Sequence, residues 1–229
     1  MNELDKRARI HAKPQQRSLV YGTGELMKLL NPNTPDSPHG LVWPYTPTIS
    51  YQRSVDYQSY DLTHVNQEPY AYAKTQALRF SVSGDFSVQN SWEARYWIAC
   101  FHFLETVTKM QFGKKSKSIG APPPVLLFSA YGELMFNRLP VIVENFNITL
   151  DDNSDYIKTE VANKSNFNNV SASFKVEGTK SSGSDVAWVP SKSNITVSLI
   201  HQNTPDEWVN TFSWQKFRDG DLIKRKGWK

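Results

Sequence analysis

The sequence predicts a mainly β domain, α+β in class, with one long helix pressed on an antiparallel sheet. Apolar side chains recur at helical spacing across residues 90–110. After residue 120 a proline-stiffened entry leads into two long apolar runs separated by a tight turn at Tyr131-Gly132-Glu133. Aromatic residues make up 13% of the chain and sit largely at strand-like spacing, a composition that favours sheets.

The helix is written most clearly. Asn90 and Glu93 have the spacing of a capping box, which marks its start. Tyr96, Trp97, Cys100, Phe103, Leu104, Val107 and Met110 follow at intervals of three and four, with Ala94, Ile98, Ala99 and Phe101 widening the apolar face. Only Glu93, Arg95, Glu105 and Lys109 are charged, so most of the circumference is expected to be covered.

The remaining elements follow in order. Residues 1–18 read as extended or disordered chain, and Gly24–Leu30 as a short helix. Three prolines between Asn31 and Pro38 then forbid regular pairing and describe a linker. Trp43–Tyr51 is a first strand that Pro44 and Pro47 confine to a sheet edge. Residues 52–76 carry Tyr57, Tyr60, Tyr70 and Tyr72 among polar groups and form a loop or a protruding hairpin. Leu78, Phe80, Val82, Phe86 and Val88 alternate as a strand, with a bulge expected at Ser83-Gly84.

After the helix comes a lysine-rich loop at 113–120, then strands at 124–131 and 134–150. Residues 158–184, dense in Asn, Ser, Lys and Gly, form a long surface excursion. Val186–Pro190 and the alternating Ile195, Val197 and Leu199 are the last strands. Trp208, Phe212, Trp214 and Phe217 pack on the domain or on a partner. This gives an N-terminal arm (1–40), one β domain (41–220) and a basic C-terminal tail (221–229).

Charge is uneven. Lys6, Arg7, Arg9, Lys13 and Arg17 against Glu3 and Asp5 give residues 1–17 a net +3, and residues 216–229 carry +4, so the body is at −3. Basic tails on a slightly acidic body suit solvated termini, a neighbouring subunit's acidic face or nucleic acid. No apolar run reaches membrane-spanning length and no hydrophobic leader opens the chain, so neither membrane insertion nor secretion is expected. Cys100, the single cysteine, reads as a small buried hydrophobe.

Catalytic readings find little. His11, His39, His64, His102 and His201 are scattered without metal-ligand spacing, and Gly22-Thr-Gly24 lacks the strand and lysine of a phosphate loop. Asp151, Asp152 and Asp155 lack the glycine and distal glutamate of a calcium loop and read as a turn, one that could equally face a neighbour's basic tail. Four Asn-x-Ser/Thr matches, at Asn147, Asn163, Asn169 and Asn194, are chance in an Asn-rich chain without a leader. Basic and aromatic residues from Trp214 to Trp228 suit nucleic acid or a subunit interface. The expectation is a building block and not an enzyme, with no cofactor and no metal. Its interface candidates are Lys6, Arg7, Arg9, Asp151, Asp152, Asp155, Tyr156, Trp214, Arg218, Lys224 and Arg225.

A series of short motifs then becomes familiar. Ala94-Arg-Tyr-Trp97, Thr108-Lys-Met-Gln-Phe-Gly113, Ala121-Pro-Pro-Pro-Val125, Phe128-Ser-Ala-Tyr-Gly132, Phe136-Asn137, Pro140-Val-Ile-Val143 and Asp155-Tyr-Ile157 stand in order. Trp188-Val-Pro190, Thr204-Pro205 and Phe217-Arg-Asp-Gly220 continue the series. Over residues 50–220 this resembles the baseplate hub and tail tube initiator proteins of contractile-tailed bacteriophages. The resemblance implies a β-barrel or sandwich of the tail-tube type with a flanking helix, six copies of which form a ring. Its implied partners are the tail tube protein and baseplate hub proteins. DNA would pass through the lumen without sequence-specific binding, and the location would be the virion tail, assembled in the host bacterial cytoplasm. The competing expectation is a monomeric, aromatic-rich β-sandwich that binds a glycan or protein through Tyr57, Tyr60, Tyr70 and Tyr72.

Overall fold

Strict alternation of apolar and polar residues builds the centre of the molecule. In the computed structural model, which describes residues 6–22, 24, 26–31, 40–112, 120–132, 134–162, 184–224 and 228, eleven strands and five α-helices are assigned. The chain opens with β1 (Arg9–Ala12) and α1 (Arg17–Tyr21), then a 3-10 turn at Met27–Leu30. Next come β2 (Leu41–Val42), β3 (Thr48–Gln52), β4 (Val55–Ser59), β5 (Tyr70–Thr75) and β6 (Arg79–Ser87). The long helix α2 (Ser91–Val107) precedes β7 (Leu126–Ala130), β8 (Phe136–Leu150), β9 (Tyr156–Ala162), β10 (Ser184–Pro190) and β11 (Lys192–His201). Three short helices close the described chain: α3 (Pro205–Asn210), α4 (Trp214–Arg218) and α5 (Asp221–Lys224).

Seven strands form one antiparallel sheet in the order β2-β1-β7-β8-β11-β6-β3, while β4-β5 and β9-β10 are separate two-stranded ribbons. Phe80, Val82 and Phe86 of β6 and Ile195, Val197 and Leu199 of β11 point to one face, where all are buried. On that face Ala94, Trp97, Cys100, Phe103, Leu104 and Val107 of α2 join the same core. Burying each large side chain there contributes about 1.5–3 kcal/mol. The ribbon β9-β10 packs along α2, and Ser91 and Thr159 fix the contact: their hydroxyl oxygens lie 3.0 Å apart, and Thr159 Oγ1 donates to the Ser91 carbonyl at 3.0 Å.

The helix starts where expected but is capped differently. Asn90 Oδ1 accepts from the backbone N–H of Trp92 at 3.0 Å and of Glu93 at 2.9 Å. Glu93 does not return the bond to Asn90 N–H; its carboxylate takes Gln89 N–H at 2.7 Å and the Asn90 side-chain amide at 2.9 Å. The helix ends at Val107, so Met110 lies beyond it and is exposed, as are Trp92 and Phe101; its cover is narrower than the pattern implies.

Two other expectations are corrected. Residues 9–12 are not free chain: β1 is inserted between β2 and β7, with Ala8, Ile10 and Ala12 buried. Gly84 makes no bulge, because β6 keeps continuous register with both β3 and β11. The glycine leaves room instead. A Cβ there would lie 2.4 Å from Trp43 Cδ1 and 2.9 Å from Pro47 Cβ, so the fully buried indole occupies the space above it. The expected strand at 43–51 is accordingly split, with Trp43–Pro47 turning between β2 and β3. The proline-rich linker at 32–38, most of the lysine-rich loop and most of the 158–184 excursion fall outside the described residues.

Candidate assembly surfaces

One part of the sheet is built unlike the rest. Strands β8, β11, β6 and β3 run side by side in alternating directions. The face turned away from the core carries Ser81 and Ser83 on β6, Asn194, Thr196 and Ser198 on β11, and Asn145, Asn147 and Thr149 on β8, all in cross-strand register. These side chains bond to one another. Ser83 Oγ lies 2.8 Å from Thr196 Oγ1 and donates to Asn194 Oδ1 at 3.1 Å, and Asn194 Nδ2 donates to Asp85 at 2.7 Å. The charged Arg79 and Glu144 pair at 3.1 Å. The result is a hydroxyl- and amide-rich wall with little unbalanced charge.

Both edges of this four-stranded unit are open among the described residues. β3 pairs with β6 and has no partner on its far side. β7 covers β8 only from Phe136 to Val141, while β11 follows β8 through Leu150, so one edge of β8 beyond Val141 is bare. Open edges of this length invite another strand.

Projecting from the end of β3 is the ribbon β4-β5. It contributes nothing to the core: Val55, Tyr57, Tyr60, Leu62, Val65, Tyr70 and Tyr72 are all exposed. Its side-chain contacts are an edge-on contact of Tyr57 with Tyr72 at 6.2 Å, Gln76 donating to Asp56 at 2.8 Å, the Lys74–Asp56 pair at 3.7 Å, the Tyr72 and Thr75 hydroxyls 2.9 Å apart, and Tyr70 donating to Glu68 at 3.3 Å. A two-stranded ribbon alone is marginal in water.

The sequence-predicted interface residues do not converge. Asp151, Asp152, Asp155 and Tyr156 are exposed in the turn after β8, where Asp151 Oδ1 accepts Asn153 N–H at 3.1 Å. Trp214 and Arg218 lie in the helical lobe after β11, at the opposite end of that strand. Trp214 is exposed, Arg218 pairs with its neighbour Asp219 at 3.1 Å, and Lys224 ends α5. The lobe has its own aromatic cluster, with Trp208 and Phe212 lying 5.1 and 5.5 Å from the buried Trp228. Lys6 and Arg7 are exposed ahead of β1, and Arg9 is half-buried within it; Arg225 is outside the described residues. Sequence reasoning missed the open edge of β8, for which no local signal exists.

A groove lies at the start of α2. It encloses about 490 Å³ between the helix, the end of β6 and the Pro44-Tyr45 turn, and Arg7, Lys28 and Glu93 are the charged residues that line it. Trp92 and Tyr96 stack at 6.1 Å along one wall. Tyr96 donates to the Gly40 carbonyl at 3.1 Å and accepts from Val42 N–H at 2.9 Å, and burial pushes its phenol well above the usual range. Burial also pushes the neighbouring Cys100 thiol to about 12, as it does the Tyr21 phenol. These groups are held neutral, which suits packing. Among the described residues no three His, Cys, Asp or Glu side chains group as metal ligands, and no helix is long and apolar enough to cross a membrane. No protein-family model matches the chain, and no curated protein is significantly similar to it.

Proposed function

We propose that this chain is a non-enzymatic structural subunit of a contractile phage tail, six copies of which close into a ring in the baseplate hub or proximal tube. The ring templates growth of the tail tube and lets DNA pass through its lumen. The observation that carries this reading is the four-stranded unit with two open edges. Its strands alternate in direction and their number is even. Bringing β3 of one copy against the bare part of β8 in the next therefore continues the antiparallel order, and the same contact repeated around an axis closes a ring.

The polar wall supports the same reading. Lining a channel, Ser, Thr and Asn offer DNA few cations, so few phosphates are neutralised and little affinity or salt dependence results. The ordered motifs between Ala94 and Gly220 add the family resemblance.

Native mass spectrometry at low and high protein concentration, alone and with a tail tube protein, tests the proposal. A hexamer, or a monomer that becomes a ring and seeds tube growth, is expected. A synthetic peptide of residues 47–53, which presents the β3 edge, should cap β8 and lower the ring fraction. A strictly monomeric species that never engages tube subunits overturns the reading. It would favour the binding module, whose ligand platform would be the exposed Tyr57, Tyr60, Tyr70 and Tyr72.

A further inference from the structure

We propose that the sheet face turned away from the core carries an oxyanion site beside α3, which takes the phosphate group of a small phosphorylated molecule. That face changes character across β8. Over β8, β11, β6 and β3 it is the hydroxyl and amide wall, whereas over β1, β7 and the start of β8 it carries cations. Register pairs Arg9 with Ser129, His11 with Leu127 and Leu127 with Pro140. The Ser129 hydroxyl accepts the Arg138 backbone N–H at 3.2 Å. Ile10, Phe128 and Leu139, which alternate with these residues, are buried in the core on the other face.

A cavity of about 390 Å³ lies here, with Lys13 and Arg138 on its walls and the buried Leu127 and Pro140 as its floor. Both cations are half-buried, and neither forms an ion pair with a described carboxylate. Arg9, one row along, is half-buried as well, and its Nε is buried without a hydrogen-bond partner. Glu207 also lines the cavity, and accepting Thr204 N–H at 2.8 Å leaves its negative charge intact. The lining therefore sums to +1, and counting Arg9 together with Asp206, the exposed neighbour of Glu207, leaves that sum unchanged.

Backbone and shape narrow the ligand. Arg138 is held at φ 52°, in the left-handed region that long side chains occupy at a conformational cost. Asn or Gly would take that shape more easily, which points to the guanidinium as the reason for Arg here. Cations reaching in from separate elements suit a tetrahedral dianion, with the Arg fork on two oxygens and the Lys point charge on a third. The volume is that of a small-ligand pocket, about 300–1,000 Å³, so the rest of the molecule lies over Leu127 and Pro140. A nucleic-acid duplex suits the place poorly, because its flanking phosphates would face Asp206 and Glu207 in the first turn of α3.

Isothermal titration calorimetry of the full-length protein at constant ionic strength tests the site with inorganic phosphate, phenyl phosphate and acetate. Phosphate is expected to bind, phenyl phosphate to bind about tenfold more tightly through the apolar floor, and acetate not to compete. Arg138→Asn and Lys13→Gln should each weaken phosphate by about tenfold. Glu207→Gln, which can keep the capping box at the start of α3, should tighten it. Arg138→Asn also separates binding from folding, since Asn tolerates the left-handed region and the urea midpoint without phosphate should not fall. The inference is overturned if the wild type ignores phosphate, if Arg138→Asn binds it equally well, or if Glu207→Gln weakens it. Acetate that binds as tightly would assign a carboxylate ligand, and a short DNA duplex displaced by phosphate would assign nucleic acid; either result overturns it too. Every residue named belongs to one copy, so the outcome is independent of ring closure.

Discussion

Trp97 donates its indole N–H to Ser193 Oγ at 2.8 Å, joining α2 to β11 across 96 residues of sequence, and both residues are buried. The bond fixes the first half of the helix on the start of β11. Ser193→Ala would leave the indole N–H dry and unpaired. The expected loss is about 1–3 kcal/mol in a urea titration, the cost of an orphaned buried donor. A loss near zero would mean that water reaches the site.

Gly84→Ala should destabilise by about 1–3 kcal/mol through overpacking against Trp43. The added Cβ would meet the indole at 2.4 Å, and the β3-β6-β11 ladder holds Gly84 in place. In a Trp43→Leu background the same substitution should cost distinctly less. Equal costs in both backgrounds, measured as a double-mutant cycle, would show that the indole is not what excludes the methyl group.

Asn90→Ala should cost about 1 kcal/mol, because Asn90 Oδ1 satisfies two N–H groups at the start of α2. Asn90→Asp keeps an acceptor in place and should stay within a few tenths of a kcal/mol of wild type. Thermal melts of the pair provide the comparison.

Alkaline pH should weaken the fold, and the sign follows from burial. The Cys100 thiol and the Tyr21 phenol are neutral when protonated, and the folded chain holds both protons to about pH 12. The unfolded chain releases them near 9 and 10. Above pH 9 the unfolded state therefore binds fewer protons, and stability falls as pH rises towards 12, by up to about 1.4 kcal/mol per pH unit for each group. Cys100→Ala removes the first group, so its urea midpoint should decline less steeply than wild type between pH 9 and 10. Parallel profiles would exclude the thiol as a cause.

The fold was legible wherever the signal is local and long. The cap at Asn90 and the spacing from Ala94 to Val107 located α2 to within three residues, and the alternation of β6 and β11 identified the two central strands. β1 was missed although Ala8, Ile10 and Ala12 alternate, because four residues among cations read as a solvated tail until β2 and β7 cover them. Gly84 was misread because a glycine in a strand marks either a bulge or a close approach, and a distant residue, Trp43, decides between them. The assembly surfaces were least legible. An edge is open only when no other segment pairs with it, and that depends on the whole topology. The described charged residues singled out from composition scatter over the start of β1, the turn after β8 and the helices after β11, so charge alone located no single site.

The length of β8 has a mechanical consequence. Nine register pairs tie it to β11, and nine more tie β11 to β6. In such ladders the hydrogen bonds lie across the strands, so a pull along the strand axis strains every rung together, while a pull sideways opens them one by one. The four-stranded unit is thus stiff in tension along its strands and comparatively easy to peel at its two margins.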